Sequence, residues 1–524
     1  MEGGKEVDGR VGWAAQPLDV EKNGSSDNGG ARTPATMGIV RLFLACMVSG
    51  GIQYGWALQL SLLSPYSQTL GISHSLVSLT WICGPIAGFV VQPIVGYYSD
   101  RCTAKMGRRR PFILAGCIII CLSVMVIGFS ADIGSRLGDT KENCSVYNGK
   151  RQSAAYVYIL GFWFLDFANN TVQGPARAMM ADLSAGAQLG PNVGQAIFSI
   201  WMALGSVLGY LSGANAKWHV WFPFLKTAAC CDACANLKGA FFTAVVLIII
   251  SMTVTLCVAN EEQYTKDDLD KTEGGVLSAF ADLFKSLKNL PPSMYKVLAV
   301  TAVTWLSWFP FFQYNTDWMA REIFHGEPQA SLAKEDAYNA GVREGAIGLL
   351  FCSVALGVAS FLIPKLCRKL TSRVVWSISN LMVGGLLFAM VAIGLVSTKG
   401  YNNTLTAGLY GPDKTLKGVA LAMFALIGIP QAVLFSVPWA VASEVATEEG
   451  GGQGLTIGVL NIAIVVPQLV IALTAGPIDG AFNKGNTPAF GIGGVFALIC
   501  AVMAVTLLPK TRGVSGTAVM TGGH

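Results

Sequence analysis

One carboxylic acid stands near the middle of a long and mostly apolar segment, residues 155–181. Four polar residues of this segment, Asp166, Asn170, Gln173 and Arg177, stand at i, i+4, i+7 and i+11. These spacings place all four side chains on one face of an α-helix. An ionised group deep in a membrane costs roughly 3 kcal/mol, so Asp166 needs a polar partner, a water-filled cavity or a proton. A network that only packs helices is the alternative, but an acid, a base and two amides together favour a functional site.

A second polar stripe lies at the end of the apolar segment 293–320. Gln313, Asp317 and Arg321 are spaced by four residues, and Glu322 adjoins them. This stripe could take part in binding or gating, or it could be a helix end whose long side chains reach towards water.

Aromatic and amide side chains occur together in two further segments. Sugars are bound by aromatic rings that stack on their apolar faces and by polar groups that bond their hydroxyls. The candidates for such contacts are Tyr54, Trp56, Gln59, Gln431 and Trp439. Each of these side chains could instead serve in packing.

The histidines exclude one route for protons. The chain has four: His74, His219, His325 and His524. All lie at segment ends, in loops or in the tail, so we expect no histidine relay inside the membrane. Burial disfavours the charged form of a carboxyl group, which makes Asp166 the candidate proton carrier. His74, at the outer start of the second segment, could pass protons or be an ordinary interfacial residue.

Several function classes are excluded. No phosphate-binding loop for ATP, no His-Glu-x-x-His motif and no hydrolase nucleophile elbow is present. We therefore predict no catalytic residue, no metal and no cofactor, and a proton gradient as the driving force. No basic polar domain large enough to bind nucleic acid is present either.

The elements that must position these residues are membrane helices. The chain is 52% hydrophobic and only 13% charged, whereas soluble domains carry about 25% charged residues. A membrane helix needs roughly 20 apolar residues. Twelve segments qualify: 38–64, 74–98, 111–131, 155–181, 193–214, 239–259, 293–320, 345–366, 373–396, 417–444, 455–476 and 487–508.

The twelve segments fall into two groups of six. The longest charged stretch separates them, and the fourth and tenth segments end alike, in a proline, small residues, an acid and then Gly-Gln. This repetition predicts two pseudo-symmetric halves of an all-α membrane protein with a site between them. The expected parts are a disordered tail 1–37, a half 38–259, a linker 260–292, a half 293–508 and a tail 509–524.

Basic residues in short loops predict the orientation. Residues 101–110 hold five Lys or Arg and residues 365–373 hold four, and such loops face the cytosol. Both termini and the linker then lie in the cytosol. Two glycosylation sequons, at Asn143 and Asn402, fall in loops on the predicted outer side.

Four of the 13 cysteines lie in predicted outer loops: Cys144, Cys230, Cys231 and Cys234. An oxidising compartment favours disulfides among them. Unpaired thiols, or zinc held by Cys231 and Cys234, are the alternatives.

Four sequence motifs resemble one family. Residues 96–113 read GYYSDRCTAKMGRRRPFI, which resembles the G-x-x-x-D-R-x-G-R-R signature of the major facilitator superfamily, although five residues rather than one separate Arg101 from Gly107. That longer form is similar to the plant sucrose–proton symporters of the glycoside–pentoside–hexuronide group. The runs QYGWALQLSLLSPY, LDFANNTVQGPAR and DWMAREIF are similar to that family too, and the likeness covers residues 38–510.

The resemblance implies a sucrose–proton symporter in which Asp166 accepts the proton beside the sugar. It also implies coupling or gating roles for residues of the polar stripes and of the basic loop: His74, Arg177, Asp317, Arg321, Glu322, Asp100, Arg101 and Arg108. Alternatively, the basic residues of this loop only hold it on the cytosolic side of the membrane.

The sequence thus predicts a twelve-helix transporter of the major facilitator fold that carries sucrose and protons into the cytosol and works as a monomer. An uncoupled sugar facilitator and a non-transporting sugar sensor are the alternatives. The expected location is the plasma membrane, with the vacuolar membrane as the alternative.

Overall fold

The computed structural model describes residues 38–140, 151–186, 191–215, 217–230, 232–261, 281, 288, 290–328, 331–404, 413–448, 453–482 and 485–509. The tail 1–37, nearly all of the tail 509–524, Cys144, Cys231, the loop that carries Asn143 and most of the predicted linker lie outside these residues. The sequon at Asn402, predicted to lie in a loop, instead falls in the last turn of the helix Ser372–Thr404. The long helices α1 to α12 are, in order, Ile39–Thr69, Leu76–Ser99, Arg110–Gly128, Gln152–Gly186, Pro191–Ala214, Asp232–Val258, Pro292–Ile323, Leu332–Leu370, Ser372–Thr404, Lys414–Glu448, Gln453–Phe482 and Thr487–Leu507.

Within the described residues, ten of these helices contain a stretch long and apolar enough to cross a membrane. The other two are α4, whose polar face lowers its hydropathy, and α5, whose apolar stretch Ile200–Ala214 is shorter. Only helices and closed barrels satisfy every backbone group in lipid, so apolar segments of this length fold as helices. Large apolar side chains such as Tyr156, Phe361 and Val502 remain exposed on their outer faces.

Each half packs around its own apolar core. Leu42, Phe162 and Phe241 belong to the core of α1–α6, while Trp318 and Phe424 belong to a core in α7–α12. The halves meet where α2 packs on α11, where α5 packs on α8, and where the end of α1 packs on α7 and α8.

Several helices extend beyond the predicted segments. The largest difference is in α8, which begins at Leu332 rather than at residue 345. Its first turns carry Lys334, Glu335 and Arg343, so a prediction from hydropathy alone begins the segment too late. This polar end is helical because it packs on α7 through the fully buried Tyr338.

Candidate functional site

Asp166 lies in α4 and is only 1% exposed. Its Oδ2 accepts a hydrogen bond from Cys83 Sγ of α2 at 3.1 Å. Its Oδ1 has no hydrogen-bond partner among the described residues. Buried polar atoms are nearly always bonded, so this oxygen requires a proton, a water molecule or a ligand.

Three helices approach Asp166 closely because α2 carries a glycine there. A Cβ atom on Gly84 would stand 3.3 Å from Asp166 Oδ2 and 2.7 Å from Gln468 Nε2 of α11. The second distance is too short for a real Cβ contact. The absence of a side chain thus lets α2 and α4 of one half meet α11 of the other, and it places the Gln468 amide near the carboxyl group.

A chain of amides continues from Asp166 towards the predicted cytosolic side. Asn170 Nδ2 donates to the Asp166 carbonyl at 2.9 Å, and Gln92 Nε2 donates to Asn170 Oδ1 at 2.7 Å. Asn461 Nδ2 of α11 then donates to Gln92 Oε1 at 3.3 Å. This inner amide bridge, formed by Asn170, Gln92 and Asn461, connects the two halves through uncharged groups.

Other buried polar atoms of the same half have no protein partner. Among them are Trp56 Nε1 and the side-chain amides of Gln59 and Asn169, in which neither the oxygen nor the nitrogen is bonded within the described residues. Gln59 and Asn169 are each 1% exposed. Buried donors and acceptors without protein partners suit a ligand rich in hydroxyl groups, because each hydroxyl both donates and accepts hydrogen bonds.

Wide π-helical turns interrupt the helices that carry the candidate residues. They span Gln59–Leu63 in α1, Ala87–Val91 in α2 and Met319–Ile323 in α7. Such turns re-aim side chains and are frequent at functional sites. Two carbonyls of the first turn accept bonds from other helices: Ser61 O from Thr316 Oγ1 at 2.9 Å and Leu63 O from Tyr158 OH at 3.0 Å.

The second polar stripe forms a cluster around Asp317 at the predicted outer side. The Asp317 carboxylate is fully buried and accepts bonds from Gln68 Nε2 at 2.9 Å, Arg321 Nε at 3.1 Å, Asn486 Nδ2 at 2.9 Å and the hydroxyl of Tyr338. Arg321 also donates to Gln68 Oε1. Gln68 belongs to α1, so it joins this charged pair to the other half; we call Gln68, Asp317 and Arg321 the outer bridge.

Glu322 lies beside the outer bridge and is also buried. Its Oε1 accepts the backbone N–H of Asn486 at 2.7 Å, just before α12 begins. The start of a helix carries the positive end of the helix dipole, which stabilises a carboxylate at this position. The contact fixes the start of α12 to the end of α7.

Arg177 contacts residues of another helix. It stands eleven residues after Asp166 in α4, too far along the helix to pair with it. Its guanidinium lies 4.9 Å from the ring of Phe198 and 3.5 Å from the sulfur of Met202, both in α5. Gln173, one turn before it, is half-buried.

The remaining candidates are dispersed. Tyr54 bonds Thr243 of α6 at 2.6 Å within its own half, and Gln431 accepts from Cys352 of α8 at 3.0 Å. Trp439 packs on the apolar core of the second half, and Gln313 is buried beside the outer bridge with an unbonded Nε2. The side chains of His74 and Asp100 lie outside the described part of the chain.

The basic loop is joined to α6. Arg101 lies over the ring of Tyr97 at 3.8 Å. Glu261, just after α6, accepts the backbone N–H groups of Arg109 and Arg110 at 2.9 and 3.1 Å, at the start of α3. Arg108 is half-buried, and its predicted gating role is untested by these contacts.

Two of the four predicted outer cysteines are paired. Cys230 and Cys234 form a disulfide across the start of α6. Cys234 is therefore engaged in a disulfide and not available to the alternative zinc site. Nearby, the buried Lys238 forms an ion pair with Asp132.

Sequence reasoning missed Gln68, Cys83, Gln92, Asn461 and Gln468. All are uncharged residues within helices. An amide inside a predicted apolar segment is the signal that could have pointed to Gln92, Asn461 and Gln468, whereas Gln68 lies just beyond the segment 38–64.

Comparison with known proteins agrees with this architecture. Residues 42–467 match the family model of the Major Facilitator Superfamily. Sucrose transport protein SUT5 of Oryza sativa subsp. indica is 75% identical, over 100% of this chain and 99% of the relative. Sucrose transport protein SUT1 of Oryza sativa subsp. japonica is 55% identical, over 94% of this chain and 92% of the relative.

Solved structures share the fold at low identity. A D-xylose-proton symporter superposes with a TM-score of 0.56 and 15% identity, over 91% of this chain and 99% of that chain. The nucleoside transporter NupG superposes with a TM-score of 0.56 and 12% identity, over 89% and 98%. These likenesses show the fold alone.

The comparisons confirm the predicted fold class and the resemblance drawn from the motifs. They also confirm that the chain is a transporter rather than an enzyme, since its relatives are named as transport proteins. The matched family model and the relative at 75% identity along the whole chain show that this protein belongs to the major facilitator superfamily and, within it, to the group that contains the rice sucrose transport proteins.

Proposed function

We propose that this protein transports sucrose into the cytosol together with protons, by alternating access, and that Asp166 carries the proton. The names of the relatives at 75% and 55% identity support sucrose as the substrate. The observation that carries proton coupling is the buried Asp166 carboxyl group, which has one oxygen held by Cys83 and one oxygen unbonded where the halves meet.

The chemistry of a carboxyl group connects sugar to proton. A carboxylate only accepts hydrogen bonds, whereas a protonated carboxyl group both donates and accepts. Sucrose hydroxyls therefore bind better to protonated Asp166. Loss of the proton on the cytosolic side weakens sugar binding and favours release.

Two sets of contacts between the halves, one on each side of Asp166, support a site that is closed first on one side and then on the other. The outer bridge lies on the predicted outer side of Asp166 and the inner amide bridge lies on the predicted cytosolic side. Both consist of hydrogen bonds rather than apolar packing, so each can exchange its partners for water as the halves move. We assign Gln68, Asp317 and Arg321 to the outer gate.

The test is sucrose-dependent current and uptake, at varied outside pH, in cells that express this chain alone. We expect an inward current that grows as the outside becomes more acidic. In Asp166→Asn, which cannot release a proton, we expect uphill uptake to fall to background while exchange of labelled for unlabelled sucrose is partly retained.

Uphill, proton-driven accumulation in Asp166→Asn would contradict the assigned carrier. Sucrose uptake without current in the wild type would indicate an uncoupled facilitator, and no uptake at all would indicate a sensor. We propose the plasma membrane as the location and the monomer as the working unit; microscopy of a fluorescent fusion would separate the plasma membrane from the vacuolar membrane.

A further inference from the structure

The thiol of Cys83 lies directly against the proposed proton carrier. Cys83 opens a short segment of α2, Cys83–Ile86, and is fully buried. Its Sγ is 3.1 Å from Asp166 Oδ2 and 3.2 Å from the carbonyl oxygen of Thr80. An ionised carboxylate accepts only, so the thiol must be the donor in that contact.

The Cys83 thiol can donate its hydrogen bond either to Asp166 Oδ2 or to the Thr80 carbonyl. When Asp166 is ionised, its negative oxygen is the stronger acceptor, because hydrogen bonds to charged groups are stronger than neutral ones. When Asp166 is protonated, the thiol can turn to the Thr80 carbonyl. The bond from Cys83 therefore favours the ionised form of Asp166 over the protonated form.

The other groups that face Asp166 are uncharged. Within the described residues they are the Gln468 amide from α11 and, from α4 itself, the amide of Asn170, which donates to the backbone carbonyl of Asp166. The phenol of Tyr158, also in α4, lies near Cys83 and donates its hydroxyl to the Leu63 carbonyl. With Asp166 Oδ1 unbonded, the thiol makes the hydrogen bond that distinguishes the two protonation states.

We infer that Cys83 is a positioning residue for proton loading, whose thiol sets the outside proton concentration at which Asp166 becomes protonated. The inference rests on the proposed function, since it acts through Asp166. It requires only that the thiol donates to the carboxylate in the unloaded state.

The variants that test this differ in one hydrogen-bond donor. Cys83→Ala removes the donor and Cys83→Ser keeps one. Cys117→Ala is the matched control, because Cys117 is an equally buried thiol of the same half that lies in α3. Initial rates of sucrose uptake are measured against outside pH for each variant, after normalisation to the amount of protein at the cell surface.

We expect the half-maximum of uptake in Cys83→Ala to move by about 0.5 to 1 pH unit towards alkaline pH. This shift corresponds to the loss of about 0.7–1.4 kcal/mol, less than an ordinary bond to a charged group, because a thiol is a weak donor. Cys83→Ser should keep the wild-type half-maximum or move it towards acid, and Cys117→Ala should not move it. The maximal rate of Cys83→Ala should fall as well, because the proton is released less readily to the cytosol.

An unshifted half-maximum in Cys83→Ala, or the same alkaline shift in Cys83→Ser and Cys117→Ala, would overturn the inference. Should Cys83→Ala fail to reach the membrane, Cys83→Ser decides alone, since an alkaline shift in that variant contradicts the role of the donor. A wild-type protein whose uptake ignores outside pH would refute the proposed function itself, which separates the two failures.

Discussion

Asp166 is held by contacts that leave half of its carboxyl group available. Cys83 occupies one oxygen, and the surrounding amides of Asn170 and Gln468 carry no charge. A lysine or arginine in contact would hold the carboxylate ionised. The neutral surroundings instead allow the group to cycle between its two forms, and the space left by Gly84 gives α11 access to it.

Gly84→Ala should nearly abolish sucrose uptake, with at least a tenfold loss of initial rate at unchanged surface amount. The added methyl group would stand 2.7 Å from the Gln468 amide nitrogen and 3.3 Å from Asp166 Oδ2, so the Gln468 side chain would have to leave its place beside the carboxyl group, and small misplacements in a site of this kind cost large factors in rate. Gly88→Ala on the same helix is the control, because its Cβ would meet Val465 at an ordinary 3.5 Å. Equal uptake in the two variants would contradict the close approach at Gly84.

His325 offers a test of where the acid dependence of uptake originates. It lies between α7 and α8, where its Nε2 contacts Ser397 Oγ at 3.0 Å, and burial lowers its pKa to about 4. The unfolded value is about 6.5, so the stability that neutral His325 contributes is present above that pH and is lost as the pH falls towards 4. Between about pH 5 and 7 the folded protein keeps this side chain neutral.

His325→Asn should therefore leave the pH profile of uptake unchanged between about pH 5 and 7. Asparagine is the suitable replacement, since residue 325 has a φ of 53° and asparagine tolerates that conformation. Initial uptake rates at stepped outside pH provide the measurement. A displaced half-maximum in this variant would assign part of the acid dependence to His325.

Among single residues, the sequence alone identifies the charged members of the site but not their uncharged partners. Asp166 and Asp317 could be found because an acid in an apolar helix is rare and expensive. Cys83 could not, because a thiol in a membrane helix is ordinary, and its role depends on which residue of α4 faces it. Gly84 is one of 60 glycines, and only the positions of its neighbours distinguish it.

Three of the helices that contribute residues to the site contain irregular turns, whereas α4, which carries Asp166, is a continuous α-helix. α1, α2 and α7 each contain a π-helical turn, and α1 and α7 contact one another through Ser61, Thr316 and the outer bridge. The sequence did not predict these turns, because apolar periodicity does not register one extra residue in a helix. The long polar start of α8 was missed for a related reason, since only its packing on α7 explains why it is helical.

Gln68→Ala should open the predicted outer side. The change removes both bonds between Gln68 and the Asp317–Arg321 pair, and bonds to charged groups contribute about 1.5–3 kcal/mol each when intact. We expect at least a tenfold shift of the conformational equilibrium towards the outward-open form. Distances between probes placed at Thr69 and Glu327, read by pulsed electron resonance or fluorescence transfer, would show it as a longer mean distance.

Ser67→Ala is the matched control for this experiment. Ser67 is buried beside Gln68, but its partners lie in its own half: its hydroxyl bonds the Ser64 carbonyl at 2.7 Å and contacts the phenol of Tyr158. An unchanged distance distribution in Gln68→Ala, or an equal change in Ser67→Ala, would contradict the assigned gate.

In the whole molecule, most apolar contacts lie within a half, while both apolar and polar contacts join the halves. Phe162 and Phe424 lie in different cores, but Ala57 and Tyr210 of the first half pack into the core around Phe424. The hydrogen bonds that cross between the halves include those of Gln68 and Gln92. The sequence predicted two halves from the repeat of the fourth and tenth segments. It could not predict which residues cross between them, because contacts between distant segments depend on the packing of all twelve helices.

The residues of the outer bridge determine whether charge moves across the membrane when the bridge opens. Arg321, Tyr338 and Asn486 reach Asp317 from the second half, and the uncharged Gln68 reaches it from the first. If the halves separate there, Asp317 keeps its counter-ion and Gln68 leaves as a neutral group. No formal charge then moves through the membrane field when this gate opens, so the voltage dependence of the transport cycle should arise from the proton-carrying step and not from the gate.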